Sequence, residues 1–230
     1  DLVVVGGWAP ELLYPNRGHI GSLDVDLAVA PTALSENAYK TLLQRMLGAG
    51  YSQKTNPTHF TKTIPGADEQ VKVDVITGQY GTGEKQSALQ LNELSINSLR
   101  GIDLAFEACD EIEVEGNIPG GMQNRVRIRV VRPEAFILIK AIALNDRTKD
   151  KDAYDIAFVL ENHASLADLA TRVSLLLGNQ LAQEGYEILK NKFASVEHVG
   201  PIWAAQEAAQ HGADYEQTRR AAFENAQELF

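Results

Sequence analysis

Two aspartates one residue apart, Asp24 and Asp26, lie inside the apolar run LDVDL, and a third, Asp74, lies inside VKVDVI. A β-strand sends alternate side chains to opposite faces. Leu23, Val25 and Leu27 therefore share one side, and Asp24 and Asp26 share the other, about 7 Å apart along the chain. In the second run Val71, Val73 and Val75 share a face and Lys72, Asp74 and Ile76 the other. Neighbouring strands would bring the three acids together, which like charges resist unless a cation sits among them. Mg²⁺ prefers oxygen and commonly takes one or two carboxylates plus substrate phosphates. Two such ions form a clamp for in-line phosphoryl or nucleotidyl transfer. Asp24, Asp26 and Asp74 are thus the candidate catalytic residues and metal ligands, with two Mg²⁺ ions expected. Read alone, the same spacing also fits a sheet with one wet face on which the acids are merely solvated.

Upstream, residues 2–5 read as a short buried strand that runs into Gly6, Gly7 and Trp8 and then a short helix over 10–13. A strand, a glycine pair and a helix N-terminus aim backbone N–H groups at an anion, and glycine lets a phosphate approach closely. Gly6 and Gly7, with Trp8 beside them, are the candidate nucleotide-binding turn.

Further elements follow from periodicity. Alternation predicts strands over 23–29, 59–64, 71–76, 111–115 and 125–131, with a hairpin turn at PGADEQ and a second turn at GNIPGGMQN. A helix is expected over 35–47, capped by Ser35 and ended by Gly48 and Gly50. Residues 77–95 are polar and read as loop, and 99–108 as a short helix or strand. From Pro133 onward the pattern is helical, over 133–145, 150–162, 166–177, 184–193, 202–211 and 214–229. The expected organisation is an α/β catalytic domain over 1–131, with a mixed sheet and flanking helices, and a helical domain over 132–230. Nucleotide would bind in a cleft that the helical domain completes.

The 230 residues carry a net charge of −10, with 44% hydrophobic and 23% charged residues. A general nucleic-acid binder is usually basic, so a nucleic-acid substrate would need a local basic patch. Arg125, Arg127 and Arg129 form one face of a strand: either such a patch, for RNA or triphosphate, or a solvated edge. Cys109 is the only cysteine, which fits a reducing cytoplasm, and no run nears the roughly 20 apolar residues that span a membrane. The chain enters at Asp1 directly into LVVV, which leaves a preceding segment open.

The glycine pair at Gly6–Gly7, the DVD at 24–26 and the VDV at 73–75 resemble the nucleotidyltransferase superfamily, the DNA polymerase β-like fold. GGWAPELL is similar to the aminoglycoside and lincosamide nucleotidyltransferases. Residues 132–162, RPEAFILIKAIALNDRTKDKDAYDIAFVLEN, resemble the abortive-infection AbiEii toxins. Trp8 stands where the superfamily commonly has a serine or threonine that contacts phosphate. The resemblance implies that Lys140 contacts nucleotide phosphate and that Asp152 belongs to the site, near the nucleotide or paired with Lys140. From the residues alone, Lys140 on an apolar helix stripe must be paired or open to a cleft. Asp152 and Asp155 share a helix face where the helix dipole also favours acids. A lone loop histidine such as His19 reads as incidental.

The resemblance implies a transferase that moves a nucleoside monophosphate from an NTP to tRNA or protein, with a cognate antitoxin as partner. Two alternatives remain: an antibiotic nucleotidyltransferase acting on a small molecule, and a non-catalytic nucleotide- or partner-binding module.

Overall fold

Hydrophobic alternation builds one mixed sheet. In the computed structural model, which describes residues 2–30, 36–53, 58–64, 70–78, 88–91, 94–118 and 121–230, nine strands are found among those residues. They are β1 (Leu2–Val5), β2 (Asp24–Val29), β3 (Ser52–Gln53), β4 (His59–Thr63), β5 (Gln70–Gly78), β6 (Ala88–Leu91), β7 (Leu94–Leu99), β8 (Cys109–Asn117) and β9 (Gln123–Val131). The order is β3-β4-β5-β2-β1-β9-β8, with β7 added to the far end of β5 and β6 added to β7. The pairs β1–β9, β2–β5 and β5–β7 are parallel and the others antiparallel.

The helices are α1 (Ala9–Leu13), α2 (Glu36–Gly48), α3 (Leu104–Glu107), α4 (Pro133–Arg147), α5 (Asp150–Asn162), α6 (Leu166–Leu176), α7 (Gln180–Lys192), α8 (Val199–Gln210) and α9 (Tyr215–Leu229). Among the described residues, no helix is long and apolar enough to cross a membrane.

The chain divides into two compact units. The first comprises residues 1–8 and 21–131 and holds the sheet. Val29, Phe60, Val73 and Val75 form a core on one sheet face, with Leu42, Leu43 and Met46 of α2 packed on them. That arrangement turns the even-numbered positions of β2 and β5, the aspartates among them, to the opposite face. Val3, Val4 and Val5 are all buried, as a strand between two neighbours requires. The second unit comprises residues 9–20 and 132–230. Its centre is α4, whose side chains are buried nearly all round and which packs on α5, α6 and α7. Gly185 makes the α7 crossing close: a Cβ there would lie 2.8 Å from the Leu138 carbonyl oxygen. Ser165, Asn179 and Asp214 cap α6, α7 and α9 with side-chain acceptors.

The stretch 77–95, read as loop, differs from that reading. Thr77 and Gly78 prolong β5, and 88–91 and 94–95 belong to β6 and β7. β7 pairs with β5 and with β6, and the β6–β7 register sets Leu89 opposite Ile96 and Leu91 opposite Leu94. Ser35, the expected cap, and most of the PGADEQ turn lie outside the described residues.

Candidate active site

β2 and β5 run side by side in parallel, and their register sets Asp24 opposite Lys72 and Asp26 opposite Asp74. The same register alternates valines and leucine into the core of the first unit, so hydrophobic burial fixes which residues meet on the acidic face. β1 lies on the other side of β2, antiparallel, with Val5 opposite Asp26. The chain then leaves β1 through a 3-10 turn, Gly6–Trp8. Gly6 has φ +68°, and a Cβ on it would fall 1.9 Å from Asp26 Oδ2. Only glycine lets the turn lie against that carboxylate. Gly7 is buried and Trp8 is 38% exposed.

Each carboxylate has a distinct surrounding. Asp24 Oδ1 is shielded and accepts no hydrogen bond among the described residues; Lys72 Nζ lies 3.4 Å away, an ion-pair contact. His59, opposite Asp74 on β4, hydrogen-bonds Asp74 Oδ1 through Nδ1. The Asp74 side chain is 21% exposed and that of Asp24 44%. Asp24 and, to a lesser degree, Asp74 are therefore open to solvent-borne ligands. Among the described residues, no three His, Cys, Asp or Glu side chains converge tightly enough to enclose an ion by themselves. What the first unit offers a hard cation is a carboxylate pair with a third acid alongside, a donor set that fits Mg²⁺ carried in with phosphate oxygens.

The second unit holds a different constellation. Lys140, near-fully buried on α4, donates to Asp152 Oδ1 at 2.8 Å and lies 2.7 Å from Asp155 Oδ2. Arg147 grips Asp152 with two bonds of 2.8 Å. Lys151 and His19 each reach Asp155 Oδ1 at 3.0 Å. Burial by itself would raise both carboxyl pKa values, but Lys140 and the other donors overcome it and hold Asp152 and Asp155 below the usual carboxylate range. Burial would lower the lysine, and the two aspartates more than reverse that, so Lys140 is held above its ordinary value. The pairing of Lys140 with Asp152 is thus direct.

Around this cluster, His19 packs edge-on to Phe158 at 4.7 Å, and Ile20 N–H donates to the Tyr154 hydroxyl, whose pKa burial pushes up to about 12. Tyr14 hydrogen-bonds His163 Nδ1 at 2.8 Å. Of the partners His19, Asp155 and His59, only His59 goes unremarked in the sequence; His19 reads there as incidental and Asp155 as a helix-face acid. For Asp155 a signal existed, since it shares a helix face with Asp152 at a spacing of three; a single histidine in a loop or at a strand end carries none.

The three arginines of β9 face Glu111, Glu113 and Glu115 of β8 across an antiparallel register. Arg125 contacts Glu113 and Glu115, and Arg127 contacts Glu111 and Glu113. The row is a neutralised ladder at the sheet margin rather than a bare basic patch.

No curated protein matches the chain. The chain is similar to that in the crystal structure of JHP933 from Helicobacter pylori, with 17% identity and a TM-score of 0.46 over 99% of this chain and 83% of that one. Residues 21–228 match the profile of the family described as "Nucleotidyl transferase AbiEii toxin, Type IV TA system". That match spans the acidic strands and the helical stretch from Arg132 to Glu228, and the chain belongs to the AbiEii family of nucleotidyltransferase toxins.

Proposed function

We propose that the protein transfers a nucleoside monophosphate from an NTP to tRNA or protein in a Mg²⁺-dependent reaction centred on Asp24, Asp26 and Asp74, and that a cognate antitoxin restrains it. One observation carries the assignment: Asp26 lies opposite Asp74 and directly against the Gly6 turn. Like carboxylates opposite each other are unfavourable without a compensating function. Asp24 and Asp26 would hold the metal, with Asp74 as a further ligand, and the half-exposed Asp24 side chain is accessible to one. A bound divalent ion supplies Lewis-acid neutralisation of the phosphoryl oxygens.

The remaining chemistry belongs to the chain. Backbone N–H groups at Gly6, Gly7 and Trp8 cradle phosphates. An acceptor oxygen attacks the α-phosphorus, the bond to the β-phosphate bridge breaks, and pyrophosphate leaves. The acceptor proton passes to Asp74, the general base in this scheme. Lys140 and Asp152, for which the resemblance implies a place at the nucleotide, are buried and paired with each other inside the second unit, a structural role there.

The test is a transfer assay with α-labelled nucleoside triphosphates and Mg²⁺, offered tRNA, protein, aminoglycosides and lincosamides in separate reactions. Label on tRNA or protein is the expected result. Label on an antibiotic alone overturns the acceptor class.

A further inference from the structure

Asp74 occupies the middle of a row. On one side its register partner is Asp26 of β2, and on the other it is His59 of β4. His59 Nδ1 donates to Asp74 Oδ1, and among the described residues His59 is the sole hydrogen-bond partner of that carboxylate. A carboxylate facing another carboxylate is driven to rotate away. A donor fixed on the far strand removes that freedom, since the strand register sets where the imidazole sits.

We infer that His59 is a positioning residue for the transfer reaction. Its N–H fixes Asp74 through Oδ1 and leaves Oδ2 for the reacting groups. The imidazole is 41% exposed and lies outside the Val29–Phe60–Val73–Val75 core. Its place on the acidic face therefore owes little to core packing, and replacing it tests geometry rather than folding. The inference rests on the reading of Asp74 as a site residue.

The experiment compares His59→Ala, His59→Asn and Asp74→Asn in the full chain. Transfer gives kcat and KM, and calorimetry with Mg²⁺ and a non-hydrolysable NTP gives nucleotide Kd. Asn places an amide N–H near the position of Nδ1. Loss of an orienting partner typically costs on the order of 10–100-fold. His59→Ala should lose at least about 10-fold in kcat, again on that scale, with nucleotide Kd unchanged. His59→Asn should restore most of that rate. Wild-type kcat in His59→Ala, or equal impairment of the Ala and Asn variants, overturns the positioning role; so does a rate loss matched by weakened nucleotide binding. Asp74→Asn separates the two claims. If it stays active, the assignment of Asp74 fails; if it is inactive while His59→Ala is fully active, only the role of His59 fails.

Discussion

Asp26 and Asp74 are register partners on parallel strands, two acids held opposite each other by hydrophobic alternation on the reverse face of the sheet. Asn in place of Asp26 keeps the shape and removes the repulsion. Asp26→Asn should therefore lose transfer by at least about 10²-fold, the scale for removing a preorganised electrostatic group. Its folding stability should stay level or rise by up to about 1 kcal/mol, the size of a cross-strand charge term. Parallel activity and urea-unfolding measurements check both signs.

Gly6→Ala should damage function and stability together. At φ +68° a Cβ costs roughly 1–2 kcal/mol, and the new methyl would collide with Asp26 Oδ2. Unfolding midpoints should drop and transfer should fall far more than the stability change explains. Gly18→Ala is the control: its φ is +82°, but a Cβ there meets nothing within 4 Å. It should share the backbone strain and keep activity.

Lys140→Met should unfold the helical unit more easily. Breaking a buried ion pair typically costs about 3–5 kcal/mol. Asp152 keeps Arg147, and Asp155 keeps Lys151 and His19, so the low end of that range is expected. Denaturant titration followed by circular dichroism measures it. Lys140→Arg should not rescue, because the longer planar head does not fit a site closed on both aspartates.

The same cluster fixes the pH response. Asp152 and Asp155 have depressed pKa values when folded, so their stabilisation is complete above the unfolded carboxyl pKa near 4. It declines as pH falls below that value toward the folded pKa values. Lys140 is raised when folded, so its contribution is complete below its unfolded pKa of 10.5 and lost as pH climbs through the higher folded value. Stability against urea should be flat across neutral pH and fall steeply below about pH 4, with Asp155→Asn flattening part of the acid limb.

The β8–β9 ladder should matter little energetically. Its side chains are largely exposed, and such pairs contribute ~0–1 kcal/mol. Arg127→Ala should shift stability within that range and leave transfer unchanged. Arg127→Glu should destabilise more, because it faces Glu113 directly. An activity loss in Arg127→Ala without a stability change would restore the strand as an acceptor-binding face.

The aspartate strands were legible because burial of one face imposes strict alternation on LDVDL and VKVDVI, and that alternation survived intact in β2 and β5. The glycine turn was legible as a turn, but its reason was not: the carboxylate that forbids a Cβ at Gly6 is Asp26, twenty positions downstream. Strands β6 and β7 escaped notice because their alternation, Leu89 and Leu91 and then Leu94 and Ile96, is short and set in a polar stretch; β7 pairs with β5 and, among the described residues, β6 only with β7. Asp155 was underrated because a helix-face acid reads as solvated until Lys140, Lys151 and His19 are seen to close on it.

One consequence follows from the path of the backbone. The polypeptide passes into the helical unit at Ala9, returns at Gly21, and passes in again at Arg132. Severing it after Val131 would not liberate an intact helical body. The fragment 132–230 would surrender Tyr14 and His19, baring His163 and removing one of the three donors on Asp155. Any truncation scheme that respects the architecture must carry the short excursion 9–20 along, grafted or co-expressed, so the enzyme's halves are better separated by point substitution than by scissors.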